Sequence, residues 1–219
     1  FVATANAVSY CGAVPVLVDV HPKYWNIDPE KIEEKITCKT KAIICVHLYG
    51  HPCDMDAINS IALKYNLRVI EDCAEAHGAE YKGKKVGSLG DIGCFSFYGN
   101  KIITTGEGGM CVTNNAKLAK KMKFLRDHAM SKNKKYWHTE IGFNYRMTNI
   151  QAAIGLAQLE NIDYMLNQRK KISKMYLIKL MALEKKGYIQ YQAEMPWAKK
   201  VCWLFSILLT DKSKISRDV

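Results

Sequence analysis

Residues 42–72 read AIICVHLYGHPCDMDAINSIALKYNLRVIED and decide the fold. The short apolar runs Ala42–Leu48 and Leu67–Glu71 are typical of buried strands. Between them Asp54 can cap a helix whose apolar residues recur at helical spacing: Met55, Ile58, Ile61 and Ala62. A strand, a helix and a second strand in this order predict a parallel pair with a crossover helix, the unit of an α/β fold.

The same alternation continues on both sides of this unit. Upstream, Val14–Val20 predicts another buried parallel strand, and Asp28 followed by Pro29 predicts a helix that ends near Thr37. Downstream, the patterns predict a hairpin or exposed loop at 81–87, strands at 93–97 and 110–113, a helix at 116–128 and a long helix from Met147 to about Leu180.

The composition is that of a soluble globular protein. The 219 residues are 48% hydrophobic and 24% charged, which excludes a disordered or fibrous chain. The longest apolar run, Val201–Leu209, is too short to cross a bilayer, which takes about 20 residues. Phe1–Val8 has no features of a targeting peptide, and because the chain opens with Phe we expect its natural start to lie upstream.

The eight cysteines form no C-x-x-C pair, so neither a metal centre nor a redox centre is predicted. Thiols scattered through apolar runs indicate a reducing compartment, and we expect a cytoplasmic protein.

The net charge of +11 comes from 27 Lys and five Arg that are not interleaved with aromatic residues. This distribution argues against nucleic-acid binding and is compatible with a small anionic substrate.

Polar side chains follow three predicted strands, where ligands of open α/β sheets gather. They are His47 with Tyr49, Glu71 with Asp72, and the turn 98–101. Lys101, between apolar segments, is either a partly desolvated amine able to form a Schiff base or one more surface lysine. Asp72 either caps the next turn or faces a cation, such as the pyridinium nitrogen of pyridoxal phosphate.

A set of ordered tracts resembles the DegT/DnrJ/EryC1/StrS family of nucleotide-sugar aminotransferases, over Phe1 to about Leu183. They are VDV (18–20), VHLYGHPCDMD (46–56), VIEDCAEAHGA (69–79), GKKVGSLGDIGCFSFYGNK (83–101), TTGEGGM (104–110), RDHAMS (126–131) and YWHTEIGFNYRMTNIQAAIGLAQLE (136–160). Within the family, the tracts around Lys101, His128 and Asn144 are most similar to the GDP-perosamine synthases, which aminate a 4-keto-6-deoxy sugar at C4.

The resemblance implies an aspartate-aminotransferase-like α/β domain with a mixed, mostly parallel sheet and bound pyridoxal 5'-phosphate. The implied roles are Lys101 as the catalytic Schiff-base lysine, Asp72 at the pyridine nitrogen, Glu75 at the phenolic oxygen, Ser96 at the phosphate, Asn144 at the phosphate of a neighbouring subunit's cofactor, and Arg146 and His128 at the substrate. The role of Asn144 implies a homodimer. His47, Tyr49 and His77 either line the pocket or are packed, hydrogen-bonded residues.

The implied reaction moves an amino group from a donor, glutamate, to a nucleotide-linked 4-keto-6-deoxyhexose. Two alternatives stay open: a sugar dehydratase of the same family, which has histidine where Lys101 stands, and a non-catalytic member or basic binding protein.

Residues 1–183 are expected to form the cofactor-binding domain, incomplete at its start, and 184–219 the opening of a small C-terminal domain. Since family members are longer at both ends, we expect this piece alone to bind the cofactor weakly. Ala129 replaces the glycine usual in RDHGMS.

Overall fold

The computed structural model of the protein describes residues 1–216, so the last three residues of the predicted C-terminal domain lie outside it. The helices are α1 Val2–Tyr10, α2 Met55–Lys64, α3 Ala116–Leu125, α4 Asn149–Glu160 and α5 Ile162–Lys185. The strands are β1 Ala42–Val46, β2 Arg68–Asp72, β3 Glu80–Tyr81, β4 Lys84–Lys85, β5 Ile92–Ser96, β6 Gly109–Val112, β7 Ile189–Tyr191, β8 Ala198–Lys199 and β9 Ile207–Leu209. Four 3₁₀ turns accompany them: Pro29–Lys31, Glu33–Lys35, Leu48–Gly50 and Asp211–Ser213.

The central sheet has the strand order β1-β2-β5-β6. The first three strands are parallel and β6 is antiparallel to β5. Val46, Asp72 and Cys94 are in register across the parallel strands, so the carboxyl ends of β1, β2 and β5 meet at one edge. The predicted α/β class with a mixed, mostly parallel sheet is confirmed.

Helix α2 packs on this sheet as its sequence pattern predicts. The Asp54 side chain accepts a hydrogen bond from the Ala57 backbone N–H, which satisfies a donor at the start of the helix. All four apolar positions named from the sequence are buried. They join Ile43, Cys45 and Val69 in one core cluster, so the crossover helix and the two parallel strands form a single packed unit.

Three sequence predictions were wrong in detail. Val14–Val20 forms no strand, and its backbone pairs only at Val20, in an isolated bridge to Ile27. Val14 and Leu17 are 83% and 80% exposed, while Val18 packs against the core. An apolar run records a tendency to be buried, but it does not tell whether a neighbouring strand supplies hydrogen-bond partners.

The other two errors concern helices. The helix predicted after Asp28 is two 3₁₀ turns, although Asp28 caps the first of them by accepting from the Glu30 N–H. A segment this short is marginal as an α-helix. The predicted long helix is broken into α4 and α5 at Asn161, whose side-chain amide donates to the Ala157 carbonyl at 2.8 Å. Such a bond competes with the helical pattern and ends α4.

Glu71 is the most completely enclosed carboxylate of the sheet, with a fully buried side chain. It accepts 2.7 Å hydrogen bonds from the backbone N–H groups of Gly87, Leu89 and Gly90, and a 3.1 Å bond from His47 Nε2. The loop can wrap the carboxylate because Gly87 has a φ of +89°. His47 Nδ1 in turn accepts from the Cys53 N–H, so His47 is a packed residue of the core.

Ligand atoms of His47, Glu71 and Cys73 lie within 4.8 Å of one another, the spacing of a metal site. The polar atoms of His47 and Glu71 are already hydrogen-bonded to the protein. Burial raises the pKa of the Cys73 thiol, which keeps it protonated and a poor metal ligand. We therefore assign His47, Glu71 and Cys73 to the packed core of the protein.

The segment after α5 lies against the sheet-bearing part of the chain. Strand β8 pairs with β3, and the Val201 N–H donates to the Gly50 carbonyl at 3.1 Å. A domain boundary between residues 183 and 184 stays a prediction.

No helix within residues 1–216 is both long enough and apolar enough to span a bilayer.

Candidate active site

Lys101 lies in the turn that follows β5, and the buried Ile102 and Ile103 anchor the chain behind it. Its Nζ is 3.9 Å from the centre of the Trp203 ring. Desolvation lowers the pKa of Lys101 below its ordinary value, and the charges of Glu75 and Asp72 offset part of that effect. The amine and the two carboxylates therefore share one site.

Asp72 ends β2 at the edge where the parallel strands meet. Its Oδ2 accepts a 2.8 Å hydrogen bond from the Thr4 hydroxyl, and its Oδ1 accepts from the Ala74 N–H at 3.1 Å. The bond from Ala74 closes the turn after the strand, as the capping interpretation predicts. The bond from Thr4 connects helix α1 to the sheet. Among residues 1–216 the carboxylate forms no ion pair.

Glu75 is buried beside this carboxylate, in the turn after β2. Its Oε2 accepts from the Tyr49 N–H at 2.7 Å. Tyr49 has a φ of +53°, a left-handed conformation that is uncommon for residues other than Gly. Desolvation raises the pKa of Glu75, and the Tyr49 N–H and the Lys101 charge oppose the rise. Glu75 is therefore a carboxyl group that takes up a proton more readily than an exposed one.

Ser96 is the last residue of β5, and its Oγ accepts from the Tyr98 N–H at 3.3 Å. His77 is buried below it, with its ring against Phe95 and Phe97. Neither ring nitrogen of His77 has a hydrogen-bond partner within the described chain. Burial lowers the pKa of His77 to about 4, against an opposing effect of the nearby Ser96 backbone, so the ring is neutral at neutral pH.

Asn144, Arg146 and His128 lie together at a second place, around Asp127. Asn144 forms an isolated bridge with Asp127, and Arg146 and His128 approach the Asp127 carboxylate at 3.6 and 3.7 Å. All three residues are exposed. Within residues 1–216 they make no hydrogen bond, ion pair or ring contact with Lys101, Asp72 or Glu75.

The sequence profile of the DegT/DnrJ/EryC1/StrS aminotransferase family matches residues 1–219. The chain belongs to this family. GDP-perosamine synthase of Caulobacter vibrioides is 52% identical over 218 residues, which are 100% of this chain and 58% of that protein. The dTDP-3-amino-3,6-dideoxy-alpha-D-galactopyranose transaminase of Aneurinibacillus thermoaerophilus is 51% identical over 178 residues, 81% of this chain and 48% of that one.

Solved structures of family members share the fold. The aminotransferase from Psychrobacter cryohalolentis superposes with a TM-score of 0.92 at 39% identity, over 100% of this chain and 60% of that chain. The resemblance inferred from the sequence tracts is thus confirmed, as is the fold that it implied. The chain spans about half the length of the curated relatives it matches.

Two contacts of the candidate site were missed by the sequence analysis. Trp203, whose ring covers the Lys101 amine, donates its indole N–H to the Asn100 carbonyl at 3.0 Å. Thr4 holds Asp72 from helix α1. Both contacts join residues far apart in the chain, and neither residue stands in a local pattern that marks a ligand, so no sequence signal could have found them.

The residues of this site fit pyridoxal phosphate, the cofactor of aminotransferases in this family. The decisive observation is the Lys101 amine, which is partly desolvated and makes no hydrogen bond or ion pair in the described part of the chain. An amine in this state is a nucleophile towards an aldehyde. Asp72 is a carboxylate of the kind that pairs with a pyridinium nitrogen, and Ser96 has a hydroxyl at the end of the neighbouring strand.

Proposed function

We propose that this protein is a pyridoxal-phosphate-dependent sugar aminotransferase that transfers an amino group from glutamate to a nucleotide-linked 4-keto-6-deoxyhexose, as a GDP-perosamine synthase does. The observation that carries the proposal is the shared site of Lys101, Asp72 and Glu75. Three relatives named GDP-perosamine synthase, at 39 to 52% identity, support the choice of substrate class.

Each side chain has one task in this proposal. Asp72 faces the pyridine nitrogen of the cofactor and keeps it protonated, while Glu75 bonds its phenolic oxygen and Ser96 its phosphate. When bound, pyridoxal phosphate supplies a positively charged ring that accepts the electrons of a carbanion. The Asp72 charge is fixed by Thr4 and Ala74 before any reaction starts, so no reorganisation is needed during the reaction.

Lys101 is the residue that binds the cofactor covalently and transfers protons. Its Nζ takes the proton from the α-carbon of the amino donor and later delivers a proton to the sugar carbon that receives the nitrogen. Partial burial keeps a larger fraction of this amine unprotonated than an exposed lysine has. A sugar dehydratase of the same family has histidine at this place, and the presence of Lys101 favours amino transfer.

The proposal includes a homodimer because Asn144 is exposed and, within residues 1–216, makes no hydrogen bond or ion pair with Lys101. Helix α4 has no buried residue, and the exposed fractions of Ile150 and Leu156 are 75% and 58%. A second copy that covers part of this surface can receive Asn144 at its own cofactor phosphate.

Labelling of Lys101 tests the cofactor site directly. The protein is incubated with excess pyridoxal phosphate, reduced with borohydride and digested with trypsin. We expect the label on Lys101, and because a modified lysine is not cut, a labelled peptide spanning 86–117 replaces the two peptides that normally meet at Lys101. The readout is the mass of that peptide.

Lys101→Arg is the matched control, because it keeps the charge but cannot form the bond. In this variant the labelled 86–117 peptide should disappear. Label spread over the exposed lysines in wild type, with none on Lys101, would contradict the proposed site.

Asp72→Asn should lower kcat for amino transfer by about 100-fold, in the range found when one preorganised electrostatic group is removed. The KM for the sugar should change little, because Asp72 is assigned to the cofactor. Steady-state kinetics with glutamate and a GDP-linked 4-keto-6-deoxyhexose give both constants. Thr4→Val is the control, since it removes one hydrogen bond to Asp72 and keeps its charge. Equal losses in the two variants would assign the effect to packing.

A further inference from the structure

Two cysteines face each other across the antiparallel strands β5 and β6. Cys94 and Cys111 are direct partners in the strand register. Their Sγ atoms are 4.0 Å apart. They lie 17 positions apart in sequence, so no C-x-x-C spacing marks the pair.

The backbone geometry at this pair suits a cross-strand disulfide. The Phe97 N–H donates to the Gly108 carbonyl at 2.9 Å. Hydrogen-bonded and non-hydrogen-bonded pairs alternate along an antiparallel ladder, so Cys94 and Cys111, three pairs away, form a non-hydrogen-bonded pair. The Cα atoms of such pairs are about 4.5 Å apart, within the range that a disulfide spans.

The two thiols differ in exposure and in their hydrogen-bonded environment. Cys111 is exposed, and a hydrogen bond from the Cys94 thiol lowers the pKa of Cys111 to about 7. The same hydrogen bond raises the pKa of Cys94, and burial and the neighbouring Asp72 charge add to the rise. Cys111 is therefore an accessible cysteine that ionises more readily than an ordinary thiol, and Cys94 is the thiol next to it.

We propose that Cys94 and Cys111 are a redox modification site that closes to a disulfide by exchange with a small disulfide such as oxidised glutathione. The Cys111 thiolate attacks one sulfur of the small disulfide, whose S–S bond breaks, and one small thiol leaves. Cys94 then loses its proton and attacks the Cys111 sulfur, which releases the second small thiol. Two protein thiols are oxidised and one small disulfide is reduced to two thiols. This inference does not depend on the proposed function.

Trypsin mapping tests the site on the unmodified protein. After incubation with oxidised glutathione, free thiols are alkylated and the chain is digested without reduction. Trypsin cuts after Lys85, Lys101 and Lys117, so the two cysteines fall in separate peptides, 86–101 and 102–117. We expect one cross-linked species of both peptides, which reduction separates. The exposed Cys11 and Cys38 serve as internal controls and should end as glutathione adducts.

Cys111 should also react faster than an ordinary exposed thiol at pH 7, since its lowered pKa enlarges the thiolate fraction, although lower nucleophilicity offsets part of the gain. In Cys111→Ser the cross-link should vanish, whereas Cys38→Ser should leave it intact. A stable glutathione adduct on Cys111 without the cross-link, or cross-linking of Cys111 to another cysteine, would overturn the proposal. Both of these outcomes are measured in the wild-type protein, so the test remains valid even if a variant folds poorly.

Discussion

Lys101→Ala should lower kcat/KM for amino transfer by about 1,000-fold or more, because in the proposed function the amine that it removes both bonds the cofactor and moves the proton. Among the described residues, Lys101 is the lysine whose amine lies over the Trp203 ring and whose pKa responds to the charges of Glu75 and Asp72, so we expect no other lysine to replace it. The measurement is the initial rate of sugar amination, followed by chromatography of the nucleotide sugars.

Two further variants separate chemistry from packing. Lys101→Arg keeps a cation that can lie on the Trp203 ring, so it should fold as wild type does and still lose the activity. Lys84→Ala removes an exposed lysine of β4 and should keep full activity. Activity of Lys101→Arg within tenfold of wild type would show that the charge, and not a transferable proton, is what the site needs.

The β1-α2-β2 unit was predictable because its signals are local. A capping Asp54, four apolar residues at helical spacing and two short apolar strands all act within 31 residues, and each was found where the pattern placed it. The run Val14–Val20 misled because it carries the same composition without a partner strand in the described chain. Pairing is a property of two segments, and one segment cannot reveal it.

The site was predictable to the extent that strand ends mark it. Lys101 and Asp72 follow apolar strands, and the parallel register brings these ends to one edge. The sequence analysis grouped Glu71 with Asp72, although neighbouring residues of a strand point to opposite faces. In the structure Glu71 enters the core and Asp72 faces the site. Trp203 and the Cys94–Cys111 pair depend on tertiary contacts, which no local pattern encodes.

Glu71→Ala should destabilise the fold by about 3 to 5 kcal/mol, a large part of the ~5–15 kcal/mol that holds a domain together. The substitution leaves the N–H groups of Gly87, Leu89 and Gly90 and the His47 ring without their acceptor. Urea unfolding followed by tryptophan fluorescence measures the loss. Glu34→Ala, at an exposed carboxylate, should stay within about 0.5 kcal/mol of wild type.

The pH dependence of the same measurement identifies the ionised carboxylate as the stabilising group. Desolvation alone would raise the pKa of Glu71, but the hydrogen bonds from His47, Gly87 and Gly90 outweigh it and hold the pKa below its ordinary value of 4.5. A group with a lowered folded-state pKa stabilises fully above its unfolded pKa, and that stability is lost as pH falls through the folded value. The stability gap between wild type and Glu71→Gln should therefore stay constant from pH 7 to about 5 and narrow below 4.5. A gap that widens on acidification would mean that Glu71 is protonated in the folded protein and that the loop 87–90 is held by packing instead.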